Sequence, residues 1–332
     1  MKEKIKKIVR KIWNPDYEDS PVYGKLYYPI YNKNVKIDSY VPEIYNKAGE
    51  RMELFFIRDG LTAHAPYSRG RYFFWDRFNF ELKKHFYTHK QMLCQIGKPD
   101  FKYGMLIESE SIVPNDYEIF QQHKGIEKDF DLIFSFSDRI LNEVPNARFV
   151  PFCSVPWYGT EQFGGLLSAD AYKTKTKNVS IVSSDKLMCH LHRIRYDIAW
   201  QCKHKNLADT YGTFDGGKLI KLSESLSDYR YSIAIENDIS PYFFTERITS
   251  CFASMTVPIY LGASKISEFF NPDGIIFLDE NSCENIEVVL SQCNEKDYEA
   301  RLPAIIDNFN RVKKFLSWED YMYEHYLQDR NK

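Results

Sequence analysis

Glu236, Asn237, Thr245, Glu246 and Arg247 lie within a short stretch that runs from an apolar segment through a loop into a helical one. The order is Ile233-Ala-Ile-Glu236-Asn237, then Pro241-Tyr-Phe243-Phe-Thr245-Glu246-Arg247. In an open α/β sheet, ligands bind beyond the carboxyl ends of the strands. A helix that starts there presents unpaired N–H groups and a partial positive charge, which suit phosphate. The Thr245 hydroxyl can cap such a helix, which is expected to run to Ser254. Arg247 adds a permanently charged, planar donor fork. Glu246 cannot serve phosphate, but it can accept hydrogen bonds from a ribose diol. The set describes a nucleoside-diphosphate site. A plainer reading also stands, in which Glu246 favours its own helix start by about 0.3–1 kcal/mol and Arg247 is solvated.

The elements that would position these residues alternate along the chain. Apolar runs read as strands at 52–57, 105–107, 132–136 and 149–152. Helical segments are expected around 79–89, 117–122 and 139–144. The pattern breaks near 155–171 and restarts with strands at 179–182, 209–211, 231–235, 257–260 and 275–278. A helix is expected over 190–203, and the tail over 284–326 reads as mostly helical. Alternation of this kind gives parallel sheets covered on both faces. The fold class is therefore α/β, with two Rossmann-like domains facing a cleft. Three segments follow: 1–14 basic and amphipathic, 15–160 an acceptor-side domain, and 161–332 a donor-binding domain with C-terminal helices.

Composition narrows the function. The chain has 332 residues, with 44 Lys plus Arg against 46 Asp plus Glu, a formal net charge of −2. That balance argues against a general nucleic-acid binder. The seven cysteines are scattered without a C-x-x-C pair, which argues against a disulfide framework or a structural zinc site. Aromatic residues reach 16%, which fits either a bulky core or sugar-facing surfaces. No apolar run is long enough to span a bilayer, and no secretory signal is seen. Residues 1–13 combine Lys2, Lys4, Lys6, Lys7, Arg10 and Lys11 with Ile5, Ile8, Val9, Ile12 and Trp13 at helical spacing. That pattern suits peripheral contact with an anionic membrane, or an ordinary surface helix.

The run from Tyr231 to Asn237, Thr245-Glu246-Arg247, and then Cys251-Phe-Ala-Ser-Met-Thr256-Val-Pro-Ile-Tyr-Leu-Gly262 resembles the signature of the α-1,3-fucosyltransferases, glycosyltransferase family 10. The similarity spans about residues 178–280. It implies a GT-B fold of bacterial or viral type without a membrane anchor, GDP-fucose as donor, and inversion at the anomeric carbon. It further implies that Glu236, Asn237 and Glu246 line the ribose and sugar. Arg247, where the family usually has Lys, would meet the phosphates. An Arg on the helix before Tyr211-Gly212 would also meet the diphosphate; spacing places it at Arg193, with Arg195 as the fallback. Phe243 stands where the family usually has Tyr, removing a hydroxyl.

Inverting transfer needs a carboxylate to remove the acceptor proton. Met105-Leu-Ile-Glu108-Ser-Glu110 resembles the family segment that carries this base, with Glu108 in its position and Glu110 as the second candidate. The alternative is a pair of surface acids. The stretch containing Tyr67, Arg69, Arg71 and Trp75 mixes aromatics and cations and is the candidate acceptor surface, or else a core segment with solvated arginines. His85 and His89 stand at helical i, i+4 spacing, but no third ligand accompanies them. No cofactor and no divalent metal are expected, since cations and a helix end can stabilise the leaving diphosphate.

The expected partners are a nucleotide-sugar and a glycan or glycolipid acceptor such as lipopolysaccharide or capsule. The expected location is cytoplasmic, peripheral on the inner membrane face. Two other readings are the same fold with a different nucleotide-sugar, and a non-catalytic nucleotide- or glycan-binding module.

Overall fold

The computed structural model of the chain describes residues 53–58, 72–76, 79, 81–152 and 168–328. Residues 1–13, Tyr67, Arg69 and Arg71 lie outside the described residues. Two compact units divide the chain. One ends at Val150 and takes back the chain from Met322; the other spans Pro151–Tyr321. The sequence placed this division at residue 160.

The first unit holds six parallel strands: β1 (Glu53–Arg58), β2 (Phe73–Asp76), β3 (Lys84–Thr88), β4 (Phe101–Leu106), β5 (Leu132–Ser135) and β6 (Ala147–Phe149). Their spatial order is β2-β1-β3-β4-β5-β6. Strand order turns around between β1 and β3, the doubly wound pattern that leaves a crevice at the carboxyl ends. Parallel strands covered on both faces show no polar–apolar alternation, and β3, Lys-His-Phe-Tyr-Thr, is buried along its whole length. The helix expected over 79–89 is therefore a turn followed by a strand, and the i, i+4 spacing of His85 and His89 has no helical meaning. Helix α1 (Asp138–Glu143) starts at Ser137, whose hydroxyl accepts from Ile140 N–H.

Aromatic rings fill this core. Phe73, Phe55, Phe86, Tyr103, Phe134 and Tyr326 form a continuous row, with successive centroids 4.3, 5.4, 4.6, 5.9 and 5.7 Å apart. Offset and tilted pairs of this kind add about 0.5–1.5 kcal/mol each beyond the area they bury. Tyr326 comes from the returning tail and donates its hydroxyl to the Phe149 carbonyl at 2.8 Å. Tyr323 of the same tail stacks on Tyr72 at 4.6 Å. Trp75, a candidate for the acceptor surface, is 5% exposed and packs edge-on against Phe73 and Phe86. Protein covers the faces of its ring.

The second unit holds β7 (Lys177–Ser183), β8 (Asp209–Gly212), β9 (Tyr229–Ile235), β10 (Val257–Leu261) and β11 (Ile276–Phe277). All pairings are parallel, in the order β11-β10-β9-β7-β8. Side chains alternate faces along a strand. Tyr231, Ile233 and Ile235 accordingly join a core layer with Leu191, Ile198 and Cys202 of α2 (His190–Lys205) and with Ile305 and Phe309 of the long helix Glu295–Arg311. Ala234 joins the opposite layer, with Ile248 and Phe252 of α3 (Glu246–Ala253), Phe270 and Phe315. Full burial of each large apolar side chain is worth about 1.5–3 kcal/mol. The expected α/β class with two parallel sheets is the one observed.

A charged residue type lies inside this core. The Lys175 amine is 5% exposed and donates to the Leu226 carbonyl at 2.7 Å and to Thr256 Oγ1 at 2.9 Å. Two acceptors match the two N–H bonds of a neutral amine. Burial pushes its pKa down to about 7, from the ordinary value near 10.4. Between those values the unfolded chain holds a proton that the folded chain lacks, so stability rises with pH across that window. Lys175→Met should remove this rise. Urea unfolding at pH 7 and 9.5 should show wild type gaining roughly 3 kcal/mol relative to the variant at the higher pH. An equal difference at both values would show that the amine does not titrate there.

Candidate functional site

In the second unit strand order turns around between β7 and β9, so a ligand crevice is expected at the carboxyl ends of those strands. A cavity of about 200 Å³ lies there. Val182, Ser183 and Ser184 line it at the end of β7, Gly212 and Thr213 at the end of β8, and Ile235 at the end of β9. Ile220 and Leu222 give it an apolar side, while Arg195, Glu246 and Arg247 give it a charged one.

The charged side is built around Glu236, the residue after β9. Its carboxylate is fully buried. It accepts from the Thr245 N–H at 2.9 Å, from the Thr245 hydroxyl at 2.6 Å and from Arg247 Nη1 at 3.4 Å. Burial raises its pKa, and Arg247 and Thr245 pull it back. Thr245 also caps α3, accepting from the Arg247 N–H at 3.3 Å. One carboxylate thus fixes where the helix begins and where its first cation stands. Glu246 lies beside it, its side chain 30% exposed and its carboxylate 4.0 Å from Arg247 Nη1. Gly262 closes the arrangement from β10. A Cβ there would stand 2.5 Å from Glu236 Cγ and 2.5 Å from the Tyr260 hydroxyl oxygen, so only glycine fits.

The two candidate arginines of α2 part company. Arg193 is exposed. Arg195 is 5% exposed and donates from Nη1 to the Ile235 carbonyl at 2.6 Å. Burial and the Arg247 charge lower its pKa to about 9, against the pull of Glu236 and Glu246. The site therefore holds two guanidinium groups that repel one another in a partly dry setting. An anion with two or more charges relieves that repulsion. Helical phase explains the choice of arginine: Leu191, Arg195, Ile198 and Cys202 lie on one stripe, the buried one.

Asn237 is held in place as well. His192 Nδ1 accepts from the Met188 N–H at 3.3 Å, so Nε2 carries the proton and donates to Asn237 Oδ1 at 2.9 Å. Burial and Arg195 lower the His192 pKa, which keeps the ring neutral. Nothing in the sequence pattern links His192 to Asn237, 45 residues away. Phe243 is 3% exposed, within the protein interior.

In the first unit, Glu108 and Glu110 follow β4 at its carboxyl end, in the loop where chemistry belongs in such sheets. Arg139 of α1 pairs with the Glu110 carboxylate and reaches Glu118 at 3.4 Å. Among the described residues, Glu108 Oε1 accepts from the neighbouring Ser109 N–H alone, at 2.9 Å. The Arg139 guanidinium thus occupies the Glu110 carboxylate, which leaves Glu108 the more accessible of the two to an incoming hydroxyl.

The small residues Ser183, Ser184 and Thr213 carry no sequence signal of their own; only the strand order brings them to the cavity. Among the described residues no group of three His, Cys, Asp or Glu side chains stands where it could hold a metal ion. No helix among them is long and apolar enough to cross a membrane. The described cysteines are free thiols.

No curated protein matches the chain in sequence. Among solved structures, an α1,3-fucosyltransferase with GDP is similar at 14% identity and a TM-score of 0.48, covering 86% of this chain and 98% of that one. The corresponding structure with GDP-fucose is similar at 14% identity and a TM-score of 0.46, covering 84% and 96%. A trehalose-6-phosphate synthase is similar at 7% identity and a TM-score of 0.46, covering 75% and 72%. Residues 172–321 match the model of glycosyltransferase family 10 (fucosyltransferase), C-terminal part. That match falls inside the second unit and contains Arg195, Glu236, Thr245, Glu246, Arg247 and Gly262. This part of the chain is thus similar to the C-terminal part of glycosyltransferase family 10.

Proposed function

We propose that the protein transfers fucose from GDP-fucose to a hydroxyl of a glycan, with inversion at the anomeric carbon. The observation that carries the reading is the buried Glu236 carboxylate gathering Thr245, the start of α3 and Arg247 at the cavity that Arg195 also lines. Arg195, Arg247 and the helix N-terminus take up the charge that develops on the departing diphosphate. Glu246 and Asn237 serve the ribose and sugar. Glu108 takes the proton of the attacking hydroxyl. Guanidinium groups and the helix end do the electrostatic work, so the proposed chemistry calls for no divalent metal. An α-1,3 linkage and an acceptor of the lipopolysaccharide or capsule class complete the proposal. The cations and apolar spacing of residues 1–13 suit a lipid surface that presents such a glycan.

GDP release, followed with GDP-fucose and with other GDP- and UDP-sugars, tests the donor. GDP-fucose is expected to be turned over fastest, with at least half the rate kept in EDTA. Faster turnover of another sugar reassigns the donor. Absence of turnover with every donor would make the protein a binding module. For the membrane, anionic vesicles are expected to sediment the full chain but not a chain lacking residues 1–13. Equal sedimentation of both would remove that part.

A further inference from the structure

The geometry points to His89 and Asp116 as positioning residues for Glu108, an inference that rests on the reading of Glu108 as the base. Strand β4 ends at Leu106, and the next two peptide N–H groups, of Ile107 and Glu108, no longer have a ladder partner. Both converge on one atom, His89 Nε2, each at 3.1 Å. A ring nitrogen that accepts carries no proton, so the ring proton of the neutral imidazole sits on Nδ1. Asp116 Oδ2 lies 3.3 Å from Nδ1. The nearby carboxylate charge favours a proton on Nδ1, which leaves Nε2 to receive the two N–H groups. The same division of labour orients histidines that hold metals.

Burial and strain support this assignment. His89 is 1% exposed and Asp116 6% exposed, so water does not substitute for either. His89 has φ of +52°, in the left-handed region. A non-glycine residue there costs on the order of 1 kcal/mol or more and persists only where its surroundings demand it. The next residue after Asp116 continues the arrangement: the Tyr117 hydroxyl donates to the Glu108 carbonyl at 2.8 Å. Both peptide groups of Glu108 are thus fixed by buried side chains, through its N–H from one side and its C=O from the other. A base must be held to within a fraction of an ångström, and a misplacement of about 1 Å can cost about 10²-fold in rate. His89 touches neither reacting atom; it acts through the Glu108 backbone.

The test compares His89→Leu, which keeps bulk without an acceptor, with His89→Gln, whose amide oxygen can receive the same N–H groups. The readout is kcat and KM for GDP release from GDP-fucose, using the lipopolysaccharide- or capsule-derived oligosaccharide that supports the fastest release. Far-UV circular dichroism and GDP binding report on folding. Expected is a folded His89→Leu chain with unchanged KM for GDP-fucose and a kcat lowered about 10²-fold, and a His89→Gln chain within about tenfold of wild type. A folded Leu variant with wild-type kcat overturns the inference, as does a folded Gln variant as slow as Leu. Should the Leu variant unfold, a folded Gln variant within tenfold of wild type supports the inference. Unfolding of both assigns His89 to the fold and overturns it. Glu108→Gln, run alongside, keeps the two readings apart: full turnover there removes the base itself, whatever His89 does.

Discussion

Arg195→Ala should lose about 10²–10³-fold in kcat for GDP release from GDP-fucose, the range found when one donor to a developing oxyanion is removed. Arg193→Ala should stay within about twofold of wild type. Only one of these guanidinium groups reaches the cavity. Arg195 is on the buried stripe of α2, bonded to the last carbonyl of β9 and close enough to Arg247 for their charges to perturb one another. Arg193 is exposed two residues away. The effect of Arg195→Ala should appear in kcat more than in KM, because negative charge on the diphosphate grows as the sugar departs. Arg195→Lys should recover only part of the loss, since an ammonium cannot hold the Ile235 carbonyl and a phosphate oxygen with the same fork. Steady-state kinetics of the three variants with GDP-fucose decide the matter. Equal losses at positions 193 and 195 would place the anion elsewhere than in this cavity.

Glu108→Gln should bind GDP with wild-type affinity and lose about 10²–10⁴-fold in transfer, the span of general base catalysis. Glutamine keeps the size of the side chain and can still accept from the Ser109 N–H, but it cannot take a proton. Glu110→Gln should stay within about tenfold of wild type, because the Glu110 carboxylate is already engaged by Arg139. Isothermal titration with GDP separates binding from chemistry, since the proposed nucleotide residues belong to the second unit. Retained transfer in the Glu108 variant, or a loss in the Glu110 variant as large as that expected of Glu108, would move the base to another residue.

How far these residues could be read from sequence differs between the two units. The second unit is legible because its apolar runs are short and bounded by polar loops. The expected strand at 231–235 appears as β9, Tyr229–Ile235. The expected cap at Thr245 is made by its hydroxyl. The choice between Arg193 and Arg195 was within reach too. Leu191, Ile198 and Cys202 set a helical phase that puts position 195, not 193, on the inner stripe.

The first unit resists reading for a physical reason. Its strands are buried on both faces, so they lose the period-two pattern that betrays a half-exposed strand. Lys-His-Phe-Tyr-Thr of β3 falls inside the segment 79–89 that was expected to be helical. The strand β2 was hidden inside a run of cations and rings that resembled a ligand surface. His89 and Asp116 had no sequence link at all. Their partnership exists only because parallel strands bring the end of β3 beside the end of β4.

The returning tail has a consequence for how the protein is made. Ribosomes deliver the amino-terminal strands first, and domains ordinarily fold in that order. Here the ring that completes the aromatic row beside Phe134 is Tyr326, which is translated after the whole second unit. The earlier-made half must wait, with part of its sheet bare, while the later half is synthesised and folded. Birth order and completion order are therefore reversed, and nascent chains halted before Met322 should be clients for chaperones that bind exposed rings.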